Sequence, residues 1–396
     1  MKTLSQLMLA LGLCLAASLS TAADVPRTID DDGPAEGVRP LALRELWRVG
    51  GQDEDVIFGR IVDLKLHPDG DLYVLDNQLC QVVVISAEGE HLRDLSREGD
   101  GPGELRQPMG LVFLADDLLG VGMGFPGKLV TMGLDGTPGD TYYPVGAPIE
   151  GNVAVMISMR LVDGVLAATG GSIVFAAEGK SHTDRFLAVG DTTCASFHRI
   201  LEATTPFDPT GRVFVETDNY YIDQRWALGP GGRVYAAMRR DAYEISEFDT
   251  QGRLVRIFGR GYEPRKRSQE EKDRITPLIN PGTPATRDWT IDDHDPCVGR
   301  IMVNPDDGRI WVLTPTGHED QPEDILETWD VFTPDGTFAE QVSVPLGGEI
   351  EEGTCFLVGT GRLVVVRGTG SVFAAGAEEE TDTEPEPLEV ICYEMR

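Results

Sequence analysis

Short apolar runs separated by turn residues dominate the pattern of this chain. Val62–Leu66, Leu72–Leu75 and Val82–Ile85 are divided by Pro68-Asp69-Gly70 and Glu88-Gly89, and a fourth run, Leu92–Leu95, follows. Runs of this length, punctuated by Gly, Pro and Asp, predict strands joined by hairpins. The pattern recurs. Leu66-His67-Pro68-Asp69-Gly70 before Leu72-Tyr73-Val74 is matched by Leu228-Gly229-Pro230-Gly231-Gly232 before Val234-Tyr235-Ala236. It returns at Val303-Asn304-Pro305-Asp306-Asp307-Gly308 before Ile310-Trp311-Val312, and at Gly359-Thr360-Gly361 before Leu363-Val364-Val365. Degenerate copies fall at Ala115-Asp116-Asp117 and Val162-Asp163-Gly164, which makes six. A third strand repeats as well, in Val83–Gly89, Ser246–Gly252 and Trp329–Gly336, each closed by an acid-rich turn ending in Gly, which takes φ > 0 at little cost.

Four strands per copy and six copies predict an all-β, six-bladed β-propeller over residues 41–396. The last copy ends at Leu388–Tyr393 without a fourth strand, while Leu41–Val49 has no blade of its own. Pairing the two closes the ring and removes its open sheet edges. A β-sandwich fits poorly with a repeat of roughly fifty residues. Gly99-Asp100-Gly101-Pro102-Gly103-Glu104-Leu105, followed by Gln107-Pro108-Met109-Gly110-Leu111, carries the blade junction. This grammar resembles NHL-repeat propellers, and the chain is similar to secreted bacterial six-bladed β-propeller proteins with degenerate NHL-like blades. The resemblance implies the fold, and it makes the GDGPGEL segment an inter-blade turn. It leaves function open, because propellers host lyases, hydrolases, sugar oxidases and binding modules.

Composition adds a compartment. Lys2, an apolar run from Leu7 to Leu19 and the small residues Thr21-Ala22-Ala23 read as a signal peptide over residues 1–23, with Cys14 poorly placed for lipid attachment because Leu13 precedes it. An exported protein, periplasmic or extracellular, is expected, with no later membrane insertion. Loss of Lys2 leaves 33 basic against 66 acidic residues, a net charge of −33. Such a chain repels phosphate backbones and anionic lipid surfaces, which excludes nucleic acid as a partner and favours a soluble monomer. The acidic stretches 24–40 and 377–387 read as a disordered linker and a disordered loop. Five cysteines remain (Cys80, Cys194, Cys297, Cys355 and Cys392), with no CxxC pair. Cys355 and Cys392, on two strands of the final blade, are the candidate disulfide.

The repeat is broken by a polar insertion at about 262–296. Ser268 with Glu271 forms a capping box ahead of a helix over Gln269–Ile275. Within the insertion, Asp292, Asp293, His294 and Asp295 are the densest group of hard-metal ligands, and Ca is the cofactor they could hold. Their spacing is not that of an EF-hand, and four consecutive strand residues cannot face one ion. The GDGPGEL segment lacks the Lys-Ser/Thr of a phosphate loop. No G-x-S-x-G elbow exists. Of the six histidines, His67 reads as solvated in a turn and His198 as structural, and Trp329 reads as core packing.

The blade register supplies the one sharp site. Counting back from each first hairpin places Asp63, Arg225 and Arg300 at one level of the innermost strand, with Gly110 and Thr354 beside them. Leu64, Leu111, Trp226, Ile301 and Cys355 then fall on the opposite parity, the inter-blade core. Asp63, Arg225 and Arg300 are therefore the candidate ligand site at the axis, suited to a small anion or carboxylate. They could equally bond to one another and to water. The function expected is an exported binding or scaffold module for a small ligand or protein partner; the alternative is a lyase or hydrolase using the axis.

Overall fold

A computed structural model describes residues 25–30, 32–51, 56–146, 152–176, 181–275, 287–345, 353–368 and 387–396. The expected signal peptide and residues 377–386 of the acidic loop lie outside the described residues.

Six antiparallel blades are present, as the repeat predicts. Their innermost strands are Ile61–Leu66, Pro108–Ala115, Asn152–Val162, Trp226–Gly229, Arg300–Val303 and Gly353–Gly359. In blades one to three the four strands run outward in sequence order, and blades four and five carry four such strands plus an outer one from the N-terminal segment. The last blade differs. Its C-terminal strand Glu389–Met395 pairs antiparallel with Leu43–Gly50, which supplies the outermost strand. The ring is thus closed by the two ends of the chain. Trp47 of the closing strand donates from Nε1 to Ala87 O of blade one at 3.1 Å. Gly89 in that turn has φ 91°, and a Cβ there would lie 2.6 Å from the Trp47 side chain, so the glycine lets blade six seat on blade one.

Apolar side chains are divided among six cores, one per blade junction. Leu64 belongs to the core between blades six and one, Leu111 to that between one and two, and Met159 to that between two and three. Trp226, Ile301 and Cys355 continue the series around the ring. The parity read from sequence therefore holds at the five positions named there, and Met159 is the equivalent in blade three. Trp329 is fully buried as core, as expected.

Several expectations are corrected. Segment 24–40 was expected to be a disordered linker; instead Arg27–Asp30 adds a parallel fifth strand to the outer edge of blade four, and Val38–Pro40 does the same on blade five. Charge made this stretch look unstructured, yet the charges are what dock it. Arg27 meets Glu244 at 2.7 Å and Arg39 meets Glu340 at 2.7 Å, both carboxylates being buried. The belt covers two edges that would otherwise present unpaired N–H and C=O groups. Cys355 and Cys392 are not bonded: all five described cysteines are free and buried. Cys355 lies opposite Val365 and Cys392 opposite Val364, so they occupy opposite faces of one sheet and separate cores. His67 is not solvated. It is buried, its ring 4.8 Å from Phe113, and its Nε2 lies 3.0 Å from Asp116 O, tying the first hairpins of blades one and two together.

The insertion forms its capping box at Ser268 and Glu271, but the helix is shorter than expected, Gln269–Asp273. Beyond it Asp288–Thr290 pairs parallel with Val213–Val215 from the preceding blade connection. Two inter-blade connections thus dock on one face of the ring. The GDGPGEL segment is an inter-blade turn. The Gly101 N–H donates to the Glu104 carboxylate at 2.8 Å, so an internal anion already fills the place a phosphate would need.

Candidate functional site at the axis

The site grows from the innermost strands. Alternate residues of each lean on one neighbouring blade or the other. Asp63 leans on blade two, where its Oδ2 accepts from Leu111 N at 2.9 Å; its Oδ1 accepts from Leu64 N at 2.9 Å. Lys65, two residues along the same face, donates from Nζ to Asp63 Oδ1 at 2.5 Å. The Asp63 carboxylate is therefore fully engaged, and it is buried.

Arg225 and Arg300 part company. Arg225 donates from Nε to Val298 O at 2.9 Å and stands over the Tyr220 ring at 5.3 Å, tying blade four to the segment that enters blade five. It is not brought to Asp63. Arg300 leans toward blade six, its guanidinium 5.1 Å from the Phe356 ring and 5.7 Å from that of Trp329. Burial acts on its guanidinium most, and the buried Glu327 is the charge that opposes this most strongly.

Arg160 is the residue sequence reasoning missed, together with Lys65. Its Nη1 donates to Met159 O at 2.9 Å and its guanidinium lies 5.4 Å from the Trp226 ring. Asp63 and Lys65 come from blade one, Arg160 from blade three and Arg300 from blade five. Lys65 senses Asp63, Arg160 and Arg300; Arg160 senses Asp63; Arg300 senses Arg160 and Asp63. Alternate blades share no junction, so these groups lie within electrostatic reach of one another across the axis. Lys65 is bonded to Asp63, Arg160 and Arg300 act on the pair from a distance, and Glu327 is the carboxylate that acts most on Arg300.

Burial works against the charged form of all three. It pulls the Lys65 ammonium below its ordinary range; Asp63 offsets only part of this, and Arg160 and Arg300 add repulsion. Burial likewise lowers Arg160 and Arg300. Lys65 nonetheless keeps 31% of its side-chain surface exposed, so the group is enclosed but reachable by solvent.

Next to Arg300, Glu327 accepts from Trp329 Nε1 at 3.0 Å and lies 3.5 Å from His318 Nδ1. The bond to Glu327 raises the His318 imidazole above its usual value against the effects of burial and Arg300. Burial, with Glu327 adding to it, pushes the Cys355 thiol far up, so Cys355 is no nucleophile.

The acidic run of the insertion is held by cations of the chain itself. Asp295 is bonded by Arg265 at 3.0 Å and Arg267 at 2.7 Å, Asp293 by Lys272 at 2.8 Å, and Asp292 lies 3.5 Å from Arg240. His294 donates its backbone N–H to Asp292 at 2.8 Å while its ring stays half-exposed. Among the described residues no three His, Cys, Asp or Glu side chains are grouped to hold a metal ion, and none of their helices is long and apolar enough to cross a membrane.

The fold is a six-bladed β-propeller with charged side chains near its axis. No family model and no curated protein sequence matches the chain. Solved structures do resemble it. A member of the DUF4221 family from Bacteroides vulgatus is 11% identical, with 90% of this chain and 99% of that chain covered at a TM-score of 0.51. A protein from Bacteroides fragilis described as exported is 11% identical, with 94% and 99% covered at 0.48. The calcium-binding regucalcin from Agrobacterium tumefaciens is 12% identical, with 91% and 97% covered at 0.44. The first of these supports the fold; at this identity the likeness does not reach the site.

Proposed function

We propose that the protein is an exported, monomeric binding module that holds a small organic carboxylate at the propeller axis. The observation that supports this reading is the buried Asp63, its oxygens already engaged by Lys65 and two backbone N–H groups, with Arg160 and Arg300 of two alternate blades within electrostatic reach. A guanidinium presents a fork of N–H groups that matches a carboxylate, and Lys65 adds a compact charge. The net charge of the chain is −32, so a cationic cluster runs against its composition and needs a reason of its own. Arg225, in this reading, stiffens the wall.

The test is a melting-temperature screen against a broad panel of carboxylates and sugar acids. A ligand at a hundredfold excess over its Kd stabilises the folded state by about 2.7 kcal/mol. Arg300→Met should fold and melt within a few degrees of wild type, yet lose the stabilisation. If no panel member shifts the wild-type curve, the axial cations are structural and the reading fails.

A second reading, a propeller lyase or hydrolase, is favoured by one observation. His318 is half-exposed, 3.5 Å from the buried Glu327 and within electrostatic reach of Arg300, the arrangement of an oriented acid or base. Turnover of a bound carboxylate that disappears in His318→Gln would separate it from simple binding.

A further inference from the structure

A cleft of about 590 Å³ lies away from the axis, where blade four hands over to blade five on the face that carries the insertion. Its walls include Arg260, Tyr262, Glu263, Thr316, Gln321 and Gln341. The volume falls in the range of small-molecule sites.

The cleft is built rather than left over. Arg260 donates from Nε to the buried Asp330 at 2.8 Å and from Nη1 to Gly261 O at 2.8 Å. The Tyr243 and Tyr262 rings lie 4.8 and 5.3 Å from its guanidinium, so its orientation is fixed. Gln341 donates one N–H of Nε2 to Asp330 at 2.8 Å, which leaves its carbonyl oxygen and its second N–H. Tyr262 OH and Thr316 Oγ1 are 2.9 Å apart, and Gln321 donates to Thr316 O at 2.7 Å. Gly317 brings the helix Pro315–Glu319 against the strand Ile325–Phe332, because a Cβ there would lie 2.2 Å from Thr328 O.

The chemistry of the lining selects a ligand class. Asp330 compensates the Arg260 charge at contact distance, and Glu263 adds a carboxylate that no described group pairs. An anion would meet Glu263, and a cation would meet Arg260. What remains is a close mixture of donors and acceptors (guanidinium, amides, hydroxyls) beside one half-buried aromatic ring. Sugar hydroxyls use both donors and acceptors, and the C–H face of a pyranose packs on an aromatic ring. We propose that this inter-blade cleft binds a neutral saccharide unit, independently of the axial site.

The test is affinity electrophoresis and calorimetry of the purified protein with neutral hexamers of maltose, cellobiose, chitin and mannan type, and with oligogalacturonate as the charged control. At least one neutral oligosaccharide should bind. Tyr262→Leu should weaken it tenfold or more, and Gln341→Ala should weaken it as well. Both variants should melt within a few degrees of wild type; should Tyr262→Leu melt early, Gln341→Ala alone decides, since Asp330 keeps its bonds to Arg260 and Tyr243. Binding unchanged in the folded variants would overturn the proposal. So would a preference for oligogalacturonate over every neutral sugar, or no binding by any member of the panel.

Discussion

Removing Leu388–Arg396 should abolish cooperative folding. This segment forms the third strand of blade six, paired on one side with Arg362–Arg367 and on the other with the closing strand Leu43–Gly50. Its loss frees the closing strand and bares the edge of Arg362–Arg367. Leu388, Val390, Ile391 and Cys392 are each exposed by 4% or less. At about 1.5–3 kcal/mol per fully buried large apolar side chain, Leu388, Val390 and Ile391 alone contribute about 4.5–9 kcal/mol. That is an upper figure, because the unfolded chain is itself partly compact. It still matches the whole stability of a typical domain, about 5–15 kcal/mol. Val390→Ala gives a graded version. Two methyls leave a fully buried site in the core between blades six and one, which costs about 1.6 kcal/mol of transfer free energy before any cavity forms. Urea unfolding followed by tryptophan fluorescence and far-UV circular dichroism measures both effects. A truncated protein that melts like wild type, with one sharp transition, would refute closure by this strand.

Other outcomes follow from the same structure. The His318 imidazole is raised by Glu327, so its contribution is fully present below pH 6.5 and is lost as pH rises through the folded value; His318→Gln should flatten the stability profile across that window, and an unchanged slope would discard the pairing. Five buried free thiols should resist alkylation until the protein unfolds, and reductant should leave the melting temperature unaltered; a drop on reduction would reveal a disulfide. Deleting residues 25–40 should lower stability without destroying the fold, since Glu244 keeps Arg239 at 3.1 Å and Glu340 keeps Arg309 at 3.0 Å; no loss at all would mean the belt strands do not dock in solution.

The fold was legible because hairpin chemistry repeats locally. Pro68-Asp69-Gly70 and Asn304-Pro305-Asp306 announce their turns wherever they stand, and the unpaired runs at the two ends implied each other. The belt was not legible. Arg27–Asp30 and Val38–Pro40 carry no alternating apolar pattern, because an added edge strand buries little and is held by backbone bonds and ion pairs. A different cause hid half of the site. Asp63 and Arg300 came from alignment on good hairpins, and Lys65 lay on the same parity as Asp63, two residues on. Arg160 sits in blade three, where the hairpin is degenerate and the long strand Asn152–Val162 carries a register shift between Met156 and Ser158. Its alignment partner is Ser158, which accepts from Trp226 Nε1 at 3.0 Å, so counting at the level of Asp63 stops two residues short of the charge. Arg225 was aligned correctly as a position, but a position does not fix where a long side chain goes.

The axial claim is tested most directly by calorimetric titration of the best carboxylate from the panel into wild type and Lys65→Met across a pH series. The folded-state value of Lys65 is lowered, so the folded protein releases this proton before the unfolded chain does. Stability of the free protein should therefore rise with pH through that window toward about 10.4, the ordinary lysine value. Carboxylate affinity should fall through the same window, because binding needs the ammonium charged. The account predicts one site per chain, affinity at least tenfold weaker in Lys65→Met, and a pH dependence that vanishes in the variant. Equal affinity and equal pH dependence in the two proteins would contradict it.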